Sequence, residues 1–212
     1  MTVPPNWAHR VGSAPIWPRN SVGTIIRAPE EPEGSRKMLV SDLKKTIRNV
    51  PDFPKPGVNF RDITTLFVNP VAFGSAMDRM VERYHGDDID VVAGIDARGF
   101  SVASVLAYRL NLGLILVRKG GKLPAEVEAE DYALEYGKAT IEVHKDSIEP
   151  GQRILIIDDL LATGGTAAAA GRIFERLGAR IEGFGFLVEL DFLKGREKLP
   201  KDRVFSLIHF DD

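Results

Sequence analysis

The amino-acid sequence predicts an α/β fold built on a parallel sheet with helices on both faces. Short apolar runs rich in β-branched residues, such as those at 91–95 and 154–157, alternate with segments of helical pattern. Runs of this kind are typical of strands that are buried on both faces of a parallel sheet. Parallel neighbours must be joined by right-handed crossovers, and these crossovers place helices against the sheet. The alternation predicts this architecture for most of the chain.

The composition indicates an ordinary compact protein. A chain of 212 residues with 44% hydrophobic residues is expected to form one domain with an appendage. The formal net charge of −2 argues against a nucleic-acid partner, because nucleic-acid-binding proteins normally present a basic face. There is no cysteine, and no apolar run approaches the roughly 20 residues that a membrane span requires. We therefore expect a cytoplasmic protein with no membrane partner.

The first 37 residues differ from the rest of the chain. They hold six of the 13 prolines and a cluster of glutamates near their end, and they show no periodic apolar pattern. Such a segment cannot bury enough apolar surface to offset the entropy lost on ordering. We expect residues 1–37 to be a proline-rich, poorly ordered extension, and residues 38–212 to be the folded domain.

Four helices are predicted from apolar spacing and from residues that favour helix ends. Pro70 suits the first position of a helix, and Gly178 suits the position just after the end of one. A proline-rich loop at 50–57 breaks the first helix. The predicted helices span residues 39–49, 70–84, 100–110 and 167–177.

Six strands are predicted from short apolar runs. The segment 139–143 alternates between apolar and polar residues, which is typical of a half-exposed strand. Residues 123–138 are acidic and weakly patterned, and we expect a mobile loop there. The predicted strands span residues 91–95, 114–117, 139–143, 154–157, about 181–189 and 204–210.

The most informative motif joins the strand at 154–157 to the helix that follows it. Asp158 and Asp159 come directly after the strand, and Thr166 is placed to cap the helix. The free amides of a helix start bind anions, whereas paired carboxylates accept from hydroxyl groups. An ordinary loop would need small polar residues but not two acids at the carboxyl end of a strand, where α/β sheets bind ligands. The motif therefore predicts a site for a ribose phosphate.

Three further clusters carry groups that could bind such a ligand. Arg98 stands at a second helix start, where it would suit a pyrophosphate, although a surface arginine is an alternative. Arg118, Lys119 and Lys122 add positive charge after a strand, unless they form only a solvated basic turn. Phe60 could stack on a flat base or could simply pack in the core.

These segments, taken in order, resemble a known family. The segment DDLLATGGT at 158–166 resembles the phosphoribosyl-pyrophosphate motif of the type I phosphoribosyltransferases. Six others resemble segments of the adenine phosphoribosyltransferase family. They are VPDFPKPG at 50–57, FRDIT at 60–64, AGIDARGF at 93–100, RKGGKLP at 118–124, LEYG at 134–137 and KGREKL at 194–199.

The resemblance implies a fold, a reaction and a cofactor. The fold would be that of a type I phosphoribosyltransferase, with a small N-terminal hood and a mobile lid loop over about 120–138. The protein would be a homodimer that uses Mg²⁺, held mainly by the pyrophosphate rather than by direct protein ligands. It would convert adenine and phosphoribosyl pyrophosphate into AMP and pyrophosphate, a purine salvage reaction.

The resemblance also implies roles for residues near the base. Phe60 would stack on adenine, and the backbone of Asn59 and Arg61 would read the edge of the base. Asn59 replaces an aliphatic residue that is usual in the family, and Gly120 also departs from the family pattern. Glu135 would accept or donate a proton at the imidazole side of adenine, and Arg98 would stabilise the departing pyrophosphate.

The remaining implied roles concern phosphoribosyl pyrophosphate. Asp158 and Asp159 would accept from the ribose hydroxyls. The Asp96–Ala97 peptide, which resembles a cis bond of the family, would hold pyrophosphate together with Arg98. The residues that would wrap the 5′-phosphate are Ala162, Thr163, Gly164, Gly165 and Thr166. The other expected contacts to the substrate are Arg118, Lys119, Lys122 and Tyr136.

Two alternatives remain open at this point. The chain could be a phosphoribosyltransferase for another base, such as a 6-oxopurine or orotate, although Phe60 and Glu135 argue against it. It could also be a non-catalytic, purine-responsive regulator on the same fold. A regulator that binds DNA would need a basic module, and the segment 1–37 is too short and too rich in proline to form one.

Overall fold

The computed structural model describes residues 37–133 and 138–212, so most of the predicted extension at 1–37 and the segment 134–137 lie outside the described residues. The helices are α1 (Val40–Thr46), α2 (Thr64–Val68), α3 (Pro70–Tyr84), α4 (Gly99–Leu110) and α5 (Gly165–Arg176). The strands are β1 (Arg48–Val50), β2 (Phe60–Asp62), β3 (Val91–Ile95), β4 (Gly113–Lys119), β5 (Val127–Ala133), β6 (Lys138–His144), β7 (Arg153–Leu161), β8 (Arg180–Leu190) and β9 (Val204–Phe210). Short 3-10 turns span Lys145–Ser147, Asp191–Leu193, Gly195–Lys198 and Lys201–Arg203.

A seven-stranded sheet in the order β5-β6-β4-β3-β7-β8-β9 forms the centre of the domain. The five strands from β4 to β9 in this order run parallel, as the sequence predicts. Strands β6 and β5 extend the sheet as an antiparallel hairpin beside β4. Because the carboxyl ends of the parallel strands share one edge, the loops that follow them are brought together there.

Helices cover both faces of the sheet, which confirms the predicted α/β architecture. Side chains of α3 and α4, such as Met80 and Leu106, pack with Val92 on one face. Phe174 of α5 packs with Ala93 on the opposite face. Neighbouring residues of one strand thus enter two different cores, because successive side chains of a strand point to opposite faces. This double burial explains why the central strands are apolar throughout rather than alternating.

Helix α3 has the predicted bounds, and the structure shows why. Pro70 occupies the first helical turn, where its missing N–H costs no hydrogen bond. The Asn69 side chain caps the helix by accepting hydrogen bonds from the amides of Val71 and Ala72, both at 3.1 Å. Helix α1 is shorter than predicted, because the residues after Thr46 turn into β1 and pair with β2.

The predicted loop over 120–138 is wrong for residues 127–133, which form β5. Glu128 and Glu130 of this strand make ion pairs with Arg172 and Arg176 of α5 at 2.7 Å. The acidic residues that suggested a solvated loop are therefore neutralised by a helix that is distant in the sequence. Such long-range pairing leaves no trace in the local pattern.

Strand β6 is also more buried than its alternating pattern suggests. Ile141, Glu142 and Val143 are all buried, each with at most 5% of its surface exposed. The strand lies between β4 and β5, so the Glu142 side chain faces protein rather than water.

No helix in the described ranges has the length and hydropathy that crossing a bilayer would demand.

We predict that Gly185→Ala destabilises the domain by about 1–3 kcal/mol through overpacking. A Cβ at this position would lie 2.6 Å from both Ile157 Cδ1 and the Tyr84 hydroxyl oxygen. Gly74→Ala in α3 is the matched control, because a Cβ there meets no atom within 4 Å. The control should gain about 0.5–1 kcal/mol from the better helix propensity of alanine. Urea unfolding followed by circular dichroism measures both changes, and equal stability of the two variants would contradict the packing argument.

Candidate active site

The turn between β7 and α5, predicted to bind an anion, lines a small pocket at the carboxyl edge of the sheet. Gly164 has a left-handed φ of 73°, which lets the chain reverse directly into the helix. Helix α5 begins at Gly165, so the prediction that Thr166 caps it is wrong; Gly164 occupies the cap position. The free amides of the first helical turn point toward a small cavity of about 70 Å³. Its lining residues are Asp158, Leu160, Leu161, Ala162, Thr163, Gly164, Gly165, Thr166, Ala167 and Phe186.

A second glycine, Gly195, contacts this turn through its backbone. The backbone of Gly195 packs directly against the turn: a Cβ on Gly195 would lie 2.2 Å from the Ala162 carbonyl oxygen. In the same way, a Cβ on Gly164 would lie 2.3 Å from the Gly195 carbonyl oxygen. Arg196 fixes Gly195 in place by donating hydrogen bonds to the buried Glu189 carboxylate, at 3.1 and 2.6 Å. The segment 194–199 resembles a segment of the family, but no role in the site was predicted for it from the sequence.

Two carboxylates lie within β7 rather than after it, because this strand extends to Leu161. Asp159 is 6% exposed and accepts a hydrogen bond of 2.6 Å from Arg98 Nε. Asp158 accepts a hydrogen bond of 2.8 Å from the Asp159 amide. Burial, followed by the charge of Asp159, raises the pKa of the Asp158 carboxyl well above its usual value. Two acids held this close favour ligands that donate hydrogen bonds.

The loop between β3 and α4 meets the same carboxylates. Its Asp96–Ala97 peptide is cis, as the family resemblance implies. Gly99 starts α4 so close to β7 that a Cβ would lie 2.7 Å from Asp158 Oδ1. Asp96 accepts a hydrogen bond of 2.8 Å from Arg118 Nε, which connects this loop to the end of β4.

Arg98 connects the sugar side of the site to the aromatic side. Its guanidinium contacts Asp159 and lies 6.0 Å from the centre of the Phe60 ring. Phe60 is half-buried and makes an edge-to-face contact with Phe53, with ring centres 5.2 Å apart. The Phe60 ring, which is predicted to stack on the base, thus lies near Arg98, which is predicted to bind pyrophosphate. Phe53 was not among the predicted site residues.

The Arg61 side chain makes structural contacts. It is 10% exposed, and its guanidinium pairs with Asp212 at 3.0 Å and lies 4.4 Å from the centre of the Phe210 ring. The neighbouring Asp62 accepts from Thr64 and from Arg48, and these contacts lower its pKa to about 2. The Arg61–Asp212 ion pair therefore attaches the β1–β2 hairpin to the C-terminal residues, whereas the Arg48–Asp62 ion pair joins the two strands of the hairpin to each other.

The positions of the predicted site residues can now be stated together. The structure brings Asp158, Asp159, Arg98 and the 162–166 turn to one end of the sheet, with Asp96 and Arg118 beside them. Asn59 and Lys122 are exposed on loops, and Lys119 is exposed at the end of β4. The two lysines make no ion pair within the described part of the chain. Glu135 and Tyr136 lie outside the described residues.

A parallel sheet whose edge joins an anion-binding helix start to buried carboxylates defines a class of protein that binds phosphorylated sugars. The family model for the phosphoribosyl transferase domain matches residues 69–211 and thus covers the sheet, both acids and the anion-binding turn.

Known relatives identify the family more closely. The adenine phosphoribosyltransferase of Acidobacterium capsulatum is 54% identical over 170 residues, which cover 80% of this chain and 94% of the relative. That of Chloroflexus aurantiacus is 52% identical and is covered over its full length, against 82% of this chain. The solved adenine phosphoribosyltransferase of Thermoanaerobacter pseudethanolicus is 45% identical with a TM-score of 0.78, covering 81% of this chain and 100% of that one. The chain belongs to the adenine phosphoribosyltransferase family.

We predict that Gly195→Ala weakens the binding of phosphoribosyl pyrophosphate by about tenfold or more. The added Cβ must displace the Ala162–Gly164 backbone, and a shift of about 1 Å in a binding group has large effects. Isothermal titration calorimetry measures the dissociation constant. Gly113→Ala is the control, because its Cβ would meet only Val91 Cγ2 at an ordinary 3.5 Å. Unchanged affinity in the Gly195 variant would show that the turn does not depend on this support.

Proposed function

We propose that this protein transfers the phosphoribosyl group from phosphoribosyl pyrophosphate to adenine, giving AMP and pyrophosphate in purine salvage. The observation that carries the proposal is the meeting of buried carboxylates, an anion-binding helix start and an aromatic ring at one sheet edge. The adenine phosphoribosyltransferase of Saccharomyces cerevisiae, 40% identical with a TM-score of 0.75, was crystallised with adenine and an imino-altritol bisphosphate.

The phosphate and sugar of the substrate occupy the β7–α5 end of the site. The amides of the 162–166 turn hold the 5′-phosphate, because a helix start attracts an anion and donates hydrogen bonds to it. Asp158 and Asp159 accept from the two ribose hydroxyls. These contacts fix the ring so that its anomeric carbon faces the base, which is the main catalytic requirement of a two-substrate displacement.

The leaving pyrophosphate lies beside the β3–α4 loop. Arg98 and the Asp96–Ala97 peptide orient it, and Arg118, Lys119, Lys122 and Tyr136 complete its surroundings. Because the anomeric carbon gains oxocarbenium character as the bond to pyrophosphate breaks, stabilising the departing anion lowers the barrier. Arg98 is a positive group that contacts Asp159 and also lies 6.0 Å from the centre of the Phe60 ring.

The residues fit a Mg²⁺ ion that the substrate itself holds. In the described ranges, metal-ligand side chains converge only at Glu189, Asp191 and His209, and Arg196 occupies both carboxylate oxygens of Glu189. We expect the ion to be bound mainly by pyrophosphate oxygens and water, as Mg²⁺ usually is in phosphate-binding sites. Bound there, Mg²⁺ supplies positive charge to the leaving group.

The base lies against Phe60, and its polar edge meets the backbone of Asn59 and Arg61. The side chain of Arg61 is engaged with Asp212, so recognition by its backbone is consistent with the structure. Glu135 exchanges a proton with the imidazole side of adenine when the base becomes bonded to ribose. The carboxylate is suited to this task because it can hold the proton released on coupling.

We also propose a homodimer in the cytoplasm. Tyr108 of α4 is 76% exposed, and Leu114 and Leu116, on the same face of β4, are each 39% exposed. Apolar groups presented in this way suit burial against a second copy. The cytoplasmic location remains a prediction from the composition, which includes no cysteine.

A base panel tests the proposed function directly. The purified protein is incubated with phosphoribosyl pyrophosphate, Mg²⁺ and either adenine, hypoxanthine, guanine or orotate, and the nucleotide product is separated by chromatography. AMP formed from adenine, with no comparable product from the other bases, is expected. Activity with another base alone, or binding without turnover, would support the alternative transferase or the regulator instead.

We predict that Glu135→Gln lowers kcat by about tenfold or more and leaves the affinity for phosphoribosyl pyrophosphate nearly unchanged. Glutamine keeps the size of the side chain but cannot take up a proton, and a general base typically contributes a factor of about 10²–10⁴. Steady-state kinetics gives kcat, and calorimetry gives the affinity. Glu175→Gln, an exposed site on α5, is the control. A normal kcat in the Glu135 variant would assign the proton transfer to another group.

We predict that removing residues 1–37 leaves both folding and kcat within about twofold of the full chain, since this proline-rich segment has no periodic apolar pattern with which to pack on the domain. The match to the C. aurantiacus relative covers the whole of that relative and 82% of this chain. Thermal melting and the AMP assay compare the two proteins. Loss of activity or of solubility on truncation would make the segment part of the domain or the dimer.

A further inference from the structure

The turn that carries Lys122 surrounds a buried carboxylate. Glu142 lies on β6, opposite Arg118 of β4, and is 5% exposed. Its Oε1 accepts hydrogen bonds from the backbone amides of Lys122 at 2.8 Å and Leu123 at 2.9 Å. A carboxylate placed in a sheet interior is costly unless several donors satisfy it, and here those donors come from a single turn.

The electrostatics show that the turn is organised around a charged group. Burial by itself would raise the pKa of Glu142, but hydrogen bonds from the amides of Gly121, Lys122 and Leu123 outweigh it and hold the pKa below its usual value. Gly121 has a φ of 76°, the left-handed conformation that lets consecutive amides converge on one acceptor. Glu142 therefore remains ionised at neutral pH and keeps these amides bound.

The contact uses the backbone and leaves the lysine side chains free. Lys119 and Lys122 are exposed and make no ion pair within the described residues, so Glu142 does not neutralise them. On the other side of the turn, the Gly120 amide donates to the Thr140 carbonyl at 2.9 Å. The turn is thus attached to β6 at two points, and its two ammonium groups project from a fixed backbone.

We propose that Glu142 is a positioning residue that holds the Lys122 turn in the geometry needed to bind the pyrophosphate of the substrate. This inference rests on the proposed transferase function and on the expected role of Lys122. The Lys122 turn is then a preformed anion site. Because the turn is already ordered in the folded protein, the entropy of ordering it is lost during folding rather than during binding. Glu142, which orders the turn, lies on β6, whereas Lys122, which is expected to contact the substrate, follows β4.

The main test is a double-mutant cycle with Glu142→Gln and Lys122→Ala. Glutamine is isosteric and keeps one acceptor oxygen but carries no charge, so it should weaken the hydrogen bonds from the Lys122 and Leu123 amides by replacing a charged acceptor with a neutral one. We expect Glu142→Gln to raise KM for phosphoribosyl pyrophosphate by about tenfold, with kcat and KM for adenine changed by less than about twofold. Added to Lys122→Ala, the same substitution should raise that KM by less than about twofold, because the group being positioned is already gone.

Full additivity of the two substitutions would overturn the proposal, since it would mean that Glu142 acts independently of Lys122. An unchanged KM in Glu142→Gln would also overturn it. Glu126→Gln is the matched control, because Glu126 is exposed in the β4–β5 connection that also carries Lys122. This variant should behave as wild type. Wild-type protein without any transferase activity would refute the proposed function instead, so the two failures are distinguishable.

A second measurement covers the case in which Glu142→Gln does not fold. Hydrogen exchange in the wild-type protein should show the Lys122 and Leu123 amides protected by about tenfold or more relative to the neighbouring exposed backbone. Lys122→Ala, which retains its backbone amide, should keep this protection while losing affinity for inorganic pyrophosphate in calorimetry. Rapid exchange of both amides, or normal pyrophosphate affinity of Lys122→Ala, would contradict the proposed role.

Discussion

The pair of carboxylates at the end of β7 is the constraint on which the rest of the site depends. Asp158 and Asp159 stand side by side near the protein interior, where like charges raise each other's energy and burial removes their hydration. The Arg98 guanidinium, at 2.6 Å from Asp159, offsets part of this cost. This pairing also ties the β3–α4 loop to β7, and Gly99 permits the close approach. A positive group and the two acids are thus held together by the protein itself.

The anion-binding turn is shaped by backbone contacts more than by side chains. Gly164 and Gly195 approach each other so closely that neither position has room for a Cβ. Arg196, Glu189 and the β8–β9 region hold Gly195 from the other side. The residues that line the pocket are therefore supported by Gly195 and Arg196, about thirty positions later in the chain. Neither of these two residues lines the pocket.

The sequence predicts the parts of this protein that depend on local chemistry. Helix α3 and the strands β3 and β9 have the predicted bounds, because proline placement and apolar runs determine them. Strand β5 and the burial of Glu142 are missed, because arginines of α5 and amides of a distant turn satisfy their charges. The cap of α5 is misassigned to Thr166 for a related reason: a left-handed glycine capped the helix in place of a polar side chain. Local patterns predict which residues could bind a ligand, but they do not reveal the distant residues that support them.

The β5–β6 hairpin connects the two charged ends of the site. Its outer strand pairs through Glu128 and Glu130 with Arg172 and Arg176 of α5, the helix whose first turn lines the candidate phosphate pocket. Its inner strand holds the basic turn through Glu142. The two strands of the hairpin thus contact two different parts of the candidate site, the helix that follows the acids and the turn that carries Lys122. Because one hairpin makes both contacts, it links the position of α5 to the position of this turn.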